Sequence, residues 1–276
     1  MPLLTLGWLT LIGATPLEIV IAAAAADFHS VSLRITGRRL TDKDASIVGD
    51  RRALSELKSR LNDEGIHLSN TSVYHISPGI TLDHLRPAID ASAELGASIM
   101  SVTCLDPDHE RFAEFMNKLS ETAGNSRMKI ALEFTPYSDA KTLPAADSIV
   151  RRSRASNFGL LIDALHLSRS GGLPSDIRGV DPDRIFLAQL CDAKRAPPSP
   201  EALAVEARTG RLYPGQGELD LYNFLEALPL DIEIECECPM LANSDRSPVE
   251  QAKRAGDAVR SFLNGYSARR SRSYWN

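Results

Sequence analysis

The sequence predicts a single (β/α)8 barrel, an α/β fold, from three observations. Eight short apolar segments rich in β-branched residues alternate with polar loops and with longer segments of helical spacing. The length of 276 residues fits the roughly 250 residues that such a barrel fills as one unit. No linker rich in Pro, Gly or Ser divides the chain, so we expect residues 1–266 to form one barrel. Residues 267–276 carry three arginines and are expected to form a basic, disordered C-terminal tail.

The eight predicted strands are short apolar runs bounded by polar or glycine-containing segments. Strands that alternate with helices form a parallel sheet, and eight is the number that closes into a barrel. In chain order these strands cover residues 3–11, 31–35, 66–76, 99–104, 128–134, 158–163, 185–190 and 232–238.

The predicted helices follow the strands and are bounded by helix start and stop signals. Pro16 stands at an early helical position, and Gly65 and Gly96 stand where helix C-caps are expected. The segment 194–217 contains four prolines and is predicted to be a long loop, whose length suggests a function. The helices cover residues 15–26, 50–64, 82–95, 110–123, 145–156, 219–228 and 247–263, with a short turn at 174–178.

The composition excludes several classes of protein. The fractions of 43% hydrophobic and 24% charged residues are typical of a soluble globular enzyme. With 31 Lys and Arg against 36 Asp and Glu, the net charge of −5 argues against a nucleic-acid partner. Four cysteines in this length are too few for a disulfide scaffold, so we expect reduced thiols and a cytoplasmic protein.

The apolar N-terminus is interpreted as part of the fold. No Lys or Arg precedes Arg34, and Pro16 and Glu18 interrupt the hydrophobic stretch. A secretory signal needs a basic first region, and a membrane span needs about 20 continuous apolar residues. We therefore expect no membrane partner.

Polar residues stand at the ends of the last four predicted strands. Active sites of (β/α)8 barrels lie at the carboxyl ends of the strands. These positions hold Glu133 after the fifth strand, Asp163 and His166 after the sixth, Gln189 after the seventh, and Glu235 and Glu237 in the eighth.

The eighth predicted strand alternates glutamate with apolar residues, in the order Ile-Glu-Ile-Glu-Cys-Glu-Cys over residues 232–238. Since side chains alternate between the two faces of a strand, the three glutamates are predicted to face the barrel interior. Like charges in a low dielectric are costly, and a divalent cation is the usual compensation. The same alternation turns both cysteines toward the helices, so we interpret them as small buried apolar residues.

The strand-end acids predict a metal-assisted reaction on a small carbonyl compound. Three carboxylates and one amide oxygen form a hard ligand set that favours Mg²⁺ or Mn²⁺. Such an ion polarises a carbonyl and stabilises an enediolate. Two alternatives stay open, namely that Asp163 caps the next helix and that His166 is structural. For an anionic end of the substrate, the candidates are arginines that follow strand ends, Arg34, Arg169 and Arg195.

Five segments of the chain resemble the xylose isomerase-like TIM-barrel superfamily, which includes sugar phosphate isomerases and epimerases, inosose dehydratase, endonuclease IV and 3-dehydroshikimate dehydratase. They cover residues 131–136, 161–166, 188–193, 214–220 and 235–239. The resemblance implies that His166 contacts substrate or transfers a proton. It also implies that the metal ligands are Glu133, Asp163, Gln189 and Glu237.

From this resemblance we expect a metal-dependent isomerase or epimerase acting on a small sugar, sugar phosphate or polyol, with Glu133 and Glu237 as proton-transfer groups. The alternative is a lyase of the 3-dehydroshikimate dehydratase type, because that branch has glutamine where epimerases have histidine, as at Gln189. A barrel that has lost catalysis and serves as a binding subunit is a third hypothesis. The oligomeric state stays open, a homo-oligomer included.

Overall fold

The computed structural model describes residues 3–37 and 47–273, and its eight parallel strands close into a barrel in sequence order. Strand β1 pairs with both β2 and β8, which completes the ring. This confirms the predicted (β/α)8 fold. The strands are β1 (Leu4–Leu6), β2 (Ser30–Leu33), β3 (His67–Ile76), β4 (Ile99–Cys104), β5 (Lys129–Glu133), β6 (Phe158–Asp163), β7 (Ile185–Leu190) and β8 (Ile234–Cys236).

Nine α-helices lie outside the barrel within the described residues, and the apolar side chains between helices and strands form the main core. Short capping side chains fix several helix starts; for example, Thr15 and Glu18 form a capping box on the first helix. The helices are α1 (Pro16–Ala25), α2 (Arg51–Asp63), α3 (Leu82–Glu94), α4 (His109–Gly124), α5 (Leu143–Arg152), α6 (Ala164–Arg169), α7 (Leu203–Thr209), α8 (Leu221–Ala227) and α9 (Pro248–Ser273).

The observed elements differ from the predicted ones in several places. The first strand is shorter than predicted, because the chain turns into a 3-10 helix at Trp8–Thr10, where the Thr10 hydroxyl binds the backbone of β8. Helix α6 follows β6 directly and precedes the predicted turn, which is a 3-10 helix at Pro174–Gly179. The predicted long loop after β7 contains helix α7.

The C-terminal region differs from the expected tail. Helix α9 continues through Ser273, so residues 267–273 are helical, while residues 274–276 lie outside the described part. Aromatic packing accounts for this extension, because the rings of Tyr222 and Tyr266 lie 6.2 Å apart and the Arg269 guanidinium lies 4.9 Å from the Tyr222 ring centre.

Strand register brings the polar strand ends together. Asp163 is paired with Gln189 across β6 and β7, and Gln189 is paired with Glu235 across β7 and β8. Glu133 is the last residue of β5, and Glu237 stands one residue beyond β8. The carboxyl end of the barrel therefore carries all the strand-end groups predicted from sequence. Among the described residues, no helix has the length and apolar character needed to cross a membrane.

Candidate functional site

A cavity of about 230 Å³ opens at the carboxyl ends of the strands. Its acidic side includes Glu133 and Glu237 together with His166 and Gln189. Further polar and aromatic groups complete the wall, namely Trp8, Arg34, His75, Thr103, Tyr137, Arg208 and Arg211. The cavity is smaller than the roughly 300–1,000 Å³ of drug-sized sites, and its many polar groups suit a compact polar molecule.

Three of the predicted groups form a tight cluster. One ligand atom from each of Glu133, Asp163 and His166 lies within 4.8 Å of the others, and all three residues are buried. The Asp163 carboxylate also accepts a hydrogen bond from the His166 backbone N–H at 2.9 Å, so this residue caps α6 as well as belonging to the cluster. Asp163 therefore has both of the roles considered from the sequence, as the cap of α6 and as a member of the acidic cluster.

Arg211 lies between two of the buried carboxylates. Its side chain is 2% exposed, and its guanidinium contacts Asp163 Oδ2 and, at 3.2 Å, Glu237 Oε2. It also donates to the backbone carbonyls of Ala207 at 2.8 Å and Glu237 at 3.2 Å. Glu237 is thus linked to the cluster through an arginine that sequence analysis did not predict.

Burial changes the ionisation of the cluster. Burial, with the nearby charge of Asp163, raises the pKa of Glu133 to about 8. Burial lowers the pKa of His166 to about 4, although Asp163 acts in the opposite direction. The imidazole is therefore neutral at pH 7, and its Nε2 contact of 3.5 Å with Glu133 Oε1 is not an ion pair.

Burial and the charge of Arg211 act in opposite directions on the pKa values of Asp163 and Glu237, and a different effect is larger for each. Burial acts to raise the pKa of Asp163, but Arg211 beside it holds this pKa below its ordinary value. For Glu237, burial outweighs the same arginine and raises the pKa well above its ordinary value. The cluster thus holds more buried acid than one guanidinium can neutralise.

Gln189 reaches the cavity with its amide oxygen unpartnered. Its Nε2 donates to Glu235 Oε1 at 3.0 Å, whereas its buried Oε1 accepts no hydrogen bond. Glu235 is fully buried behind Gln189 and also accepts from Ser32 and Asn70. The sequence placed Glu235 on the same strand face as Glu237. In the structure Glu235 does not line the cavity, because it lies behind Gln189.

The opposite side of the cavity carries positive charge. Arg34 follows β2, and its guanidinium lies 5.0 Å from the centre of the Trp8 ring. His75, in β3, bonds to Thr103 Oγ1 at 2.6 Å. The pKa of His75 lies below its ordinary value, first because neighbouring atoms desolvate the ring and then because Arg34 and Arg208 oppose its protonation.

Two of the three predicted substrate arginines lie away from this cavity. Arg169 makes a two-pronged ion pair with Glu206, with both N–O distances at 2.8 Å. Arg195 lines a separate groove of about 430 Å³ beside α6 and α8. Of the three predicted arginines, Arg34 alone lines the cavity. The guanidinium of Arg169 is paired with Glu206, which lies 37 residues away in sequence.

The segment after β7 is held firmly against the barrel. Asp192 accepts hydrogen bonds at 2.8–3.0 Å from the backbone N–H groups of Ala193, Gly215, Gly217 and Leu219. Gly217 has no side chain because an added Cβ would lie 2.4 Å from the Asp192 carboxylate. Antiparallel pairings of Asp192 with Leu212 and of Gly210 with Met240 flank Arg211 on both sides. The length of this segment was the one sequence signal that could have indicated Arg211 and Arg208.

The donor set at the acidic side fits a divalent cation. Buried polar atoms normally have partners, and the Oε1 of Gln189 lacks one. Glu133, Asp163 and Glu237 carry three potential negative charges, of which Arg211 offsets one. Oxygen donors of this kind suit a hard cation. The residues that would hold it are Glu133, Asp163, Gln189 and Glu237.

Comparison with known proteins places the chain in an enzyme context. The sequence matches the family described as "xylose isomerase-like TIM barrel" over residues 20–262. It is 27% identical to 3-dehydroshikimate dehydratase of Pseudomonas putida over 66% of this chain and 29% of that protein. It is 30% identical to inosose isomerase of Bacillus subtilis over 42% of this chain and 40% of that protein. The matches therefore span less than half the length of these curated relatives.

Among solved structures, the chain is similar to the IolI protein crystallised with a bound zinc atom. The TM-score is 0.80 at 18% identity, over 95% of this chain and 98% of that one. At this level of identity the similarity concerns the fold.

Proposed function

Because this chain belongs to the xylose isomerase-like TIM barrel family, we propose that it is a divalent-metal-dependent lyase of the 3-dehydroshikimate dehydratase type. Its substrate would be a small hydroxylated carbonyl compound that carries a carboxylate. The observation that carries the proposal is the division of the cavity, with Glu133 and Glu237 lining it after β5 and β8 and Arg34 lining it after β2. A substrate with a carboxylate at one end and a ketone with neighbouring hydroxyls at the other matches that division.

The choice of a lyase over the expected isomerase follows from two further points. Arg34 and Arg208 lie at the cavity, so an anionic substrate is favoured over a neutral polyol. Gln189 occupies the strand-seven position, and the match to a 3-dehydroshikimate dehydratase covers more of this chain than the match to inosose isomerase.

The reaction needs a base beside the carbonyl of the substrate. A bound divalent cation would polarise this carbonyl and acidify the adjacent C–H. His166 is uncharged at neutral pH and lines the cavity, so its Nε2 can accept that proton. Electrons of the broken C–H bond form the new double bond as the neighbouring C–O bond breaks. The imidazolium returns its proton to the departing hydroxyl, which leaves as water. The negative charge of Asp163, which favours the protonated form of His166, stabilises the imidazolium meanwhile.

The test is incubation of Mn²⁺-loaded protein with 3-dehydroshikimate, followed by the ultraviolet absorbance of the aromatic product. We expect His166→Asn to lower kcat at least 100-fold, within the range for loss of a general base. Arg34→Met should raise KM about tenfold with a smaller change in kcat. Arg151→Met removes an exposed arginine on α5 and is the matched control, with unchanged kinetics. Absence of an aromatic product from the loaded wild-type protein would refute the dehydratase proposal.

A second candidate is the isomerase or epimerase expected from the sequence, which one observation favours. Glu133 and Glu237 both line the cavity from different strands, as needed to remove a proton at one position and return one at another. Incubation with ketoses and inososes in deuterated water distinguishes the two reactions. Carbon-bound deuterium in recovered sugar supports the isomerase, and unlabelled substrate excludes it.

A further inference from the structure

Glu235 is a buried acid that the proposed reaction does not use. It is 0% exposed and lies on β8, two residues before Glu237. Its carboxylate accepts hydrogen bonds from three uncharged groups, Ser32 Oγ at 3.1 Å, Asn70 Nδ2 at 2.7 Å and Gln189 Nε2 at 3.0 Å. These donors come from β2, β3 and β7, so the carboxylate is fixed from three sides.

Space for this carboxylate is provided on the fourth side by Gly7. A Cβ at Gly7 would lie 2.9 Å from Glu235 Oε1 and 2.9 Å from the Cys236 carbonyl oxygen. Real Cβ atoms essentially never approach so closely, so any larger residue would displace Glu235 or the strand. The barrel interior is therefore shaped around this side chain.

The position of Glu235 decides which end of the Gln189 amide faces the cavity. An amide group presents a donor at one end and an acceptor at the other. Both carboxylate oxygens of Glu235 act as acceptors, Oε2 from Asn70 and Oε1 from Ser32 and Gln189. With Nε2 bonded to Glu235, Oε1 must point away from it, and a flipped amide would place two acceptors against each other. The Oε1 of Gln189 is buried without a partner, and Gln189 lines the cavity while Glu235 does not.

We propose that Glu235 is a positioning residue that orients the Gln189 amide so that its oxygen is offered to a divalent cation. This inference rests on the metal dependence in the proposed function. Groups that orient metal ligands typically contribute 10-fold to 100-fold to metal affinity. The same carboxylate could accept the N–H of an imidazole, so Gln189→His is expected to keep a metal site.

The experiment measures Mn²⁺ affinity of the chelator-stripped full-length protein from the electron paramagnetic resonance signal of free Mn²⁺. Glu235→Met keeps the volume and removes the acceptor, and it should weaken binding 10-fold to 100-fold. Glu235→Gln keeps an acceptor oxygen for Gln189 and should stay within threefold of wild type. Glu233→Gln changes the acid directly before β8, which accepts hydrogen bonds from Thr5 and Ser30, and is the matched control with unchanged affinity.

A double-mutant cycle separates positioning from a general structural effect. If Glu235 acts through Gln189, then Glu235→Met adds no further loss in a Gln189→Ala background. Additive losses, or wild-type affinity in Glu235→Met, would overturn the inference. Should Glu235→Met fail to fold by circular dichroism, Glu235→Asp retracts the carboxylate from Gln189 and gives the same comparison. If the wild-type protein binds no Mn²⁺, the proposed function is wrong instead.

Discussion

Replacing Arg211 with methionine should strongly destabilise the metal-free protein. The guanidinium pairs with Asp163 and Glu237, whose side chains are 0% and 6% exposed, and the Arg211 side chain itself is 2% exposed. Removing one partner of a buried ion pair costs about 3–5 kcal/mol, because the remaining charge is left without compensation. For a domain of this size, each kcal/mol lowers Tm by about 2–4 °C, so we expect a decrease of roughly 6–20 °C.

The sign of the metal effect gives a second measurement. Without the guanidinium the carboxylate cluster is more negative, so Arg211→Met should bind Mn²⁺ more tightly, by at least about tenfold. Saturating Mn²⁺ should therefore recover more Tm in the variant than in the wild type. Calorimetric melting of chelator-treated and Mn²⁺-loaded protein gives both quantities.

The pH dependence and a matched variant complete this test. Asp163 has a folded pKa below its ordinary 3.8, so its pairing with Arg211 stabilises the protein above about pH 4 and is lost as pH falls through the folded value. The difference between Arg211→Met and wild type should shrink accordingly below pH 4. Arg208→Met removes an exposed arginine three residues away and should change stability by less than about 0.5 kcal/mol. Equal melting temperatures for Arg211→Met and wild type at pH 7 would refute the reasoning.

Three further outcomes follow from buried groups. Because the pKa of His166 falls from 6.5 to about 4 on folding, its own contribution to stability in the metal-free protein should fall by about 3 kcal/mol between pH 6.5 and pH 4. Urea unfolding of wild type and His166→Asn should show this contribution as the change with pH in the difference between the two proteins. Asp192→Ala removes the acceptor of four backbone N–H groups and should cost about 3 kcal/mol or more; unchanged hydrogen exchange over residues 213–219 would contradict this. The four cysteines are buried and should resist iodoacetamide until urea unfolds the chain, as mass spectrometry can check on Cys104, Cys191, Cys236 and Cys238.

The barrel could be predicted because its strands are buried on both faces and appear as continuous apolar runs. Helix α7 could not, since among its seven residues only Ala207 is buried and no apolar stripe marks it. The strand-end acids were found because each interrupts or ends an apolar run. Arg211 was not, because its partner Asp163 lies 48 residues away in sequence. For the same reason the sequence did not reveal that Arg169 is already paired with Glu206.

The anchoring of the segment after β7 has a consequence for how ligands reach the site. Asp192 and the two antiparallel pairings hold this stretch as a rigid side wall, with Arg211 fixed inside it. Tyr137, which is 41% exposed, lines the same cavity outside this stretch, so we expect ligands to enter on the Tyr137 side without a rearrangement of that wall. If bond breaking is the slow step, kcat should not change when a viscogen is added, because no motion of this wall accompanies binding or release.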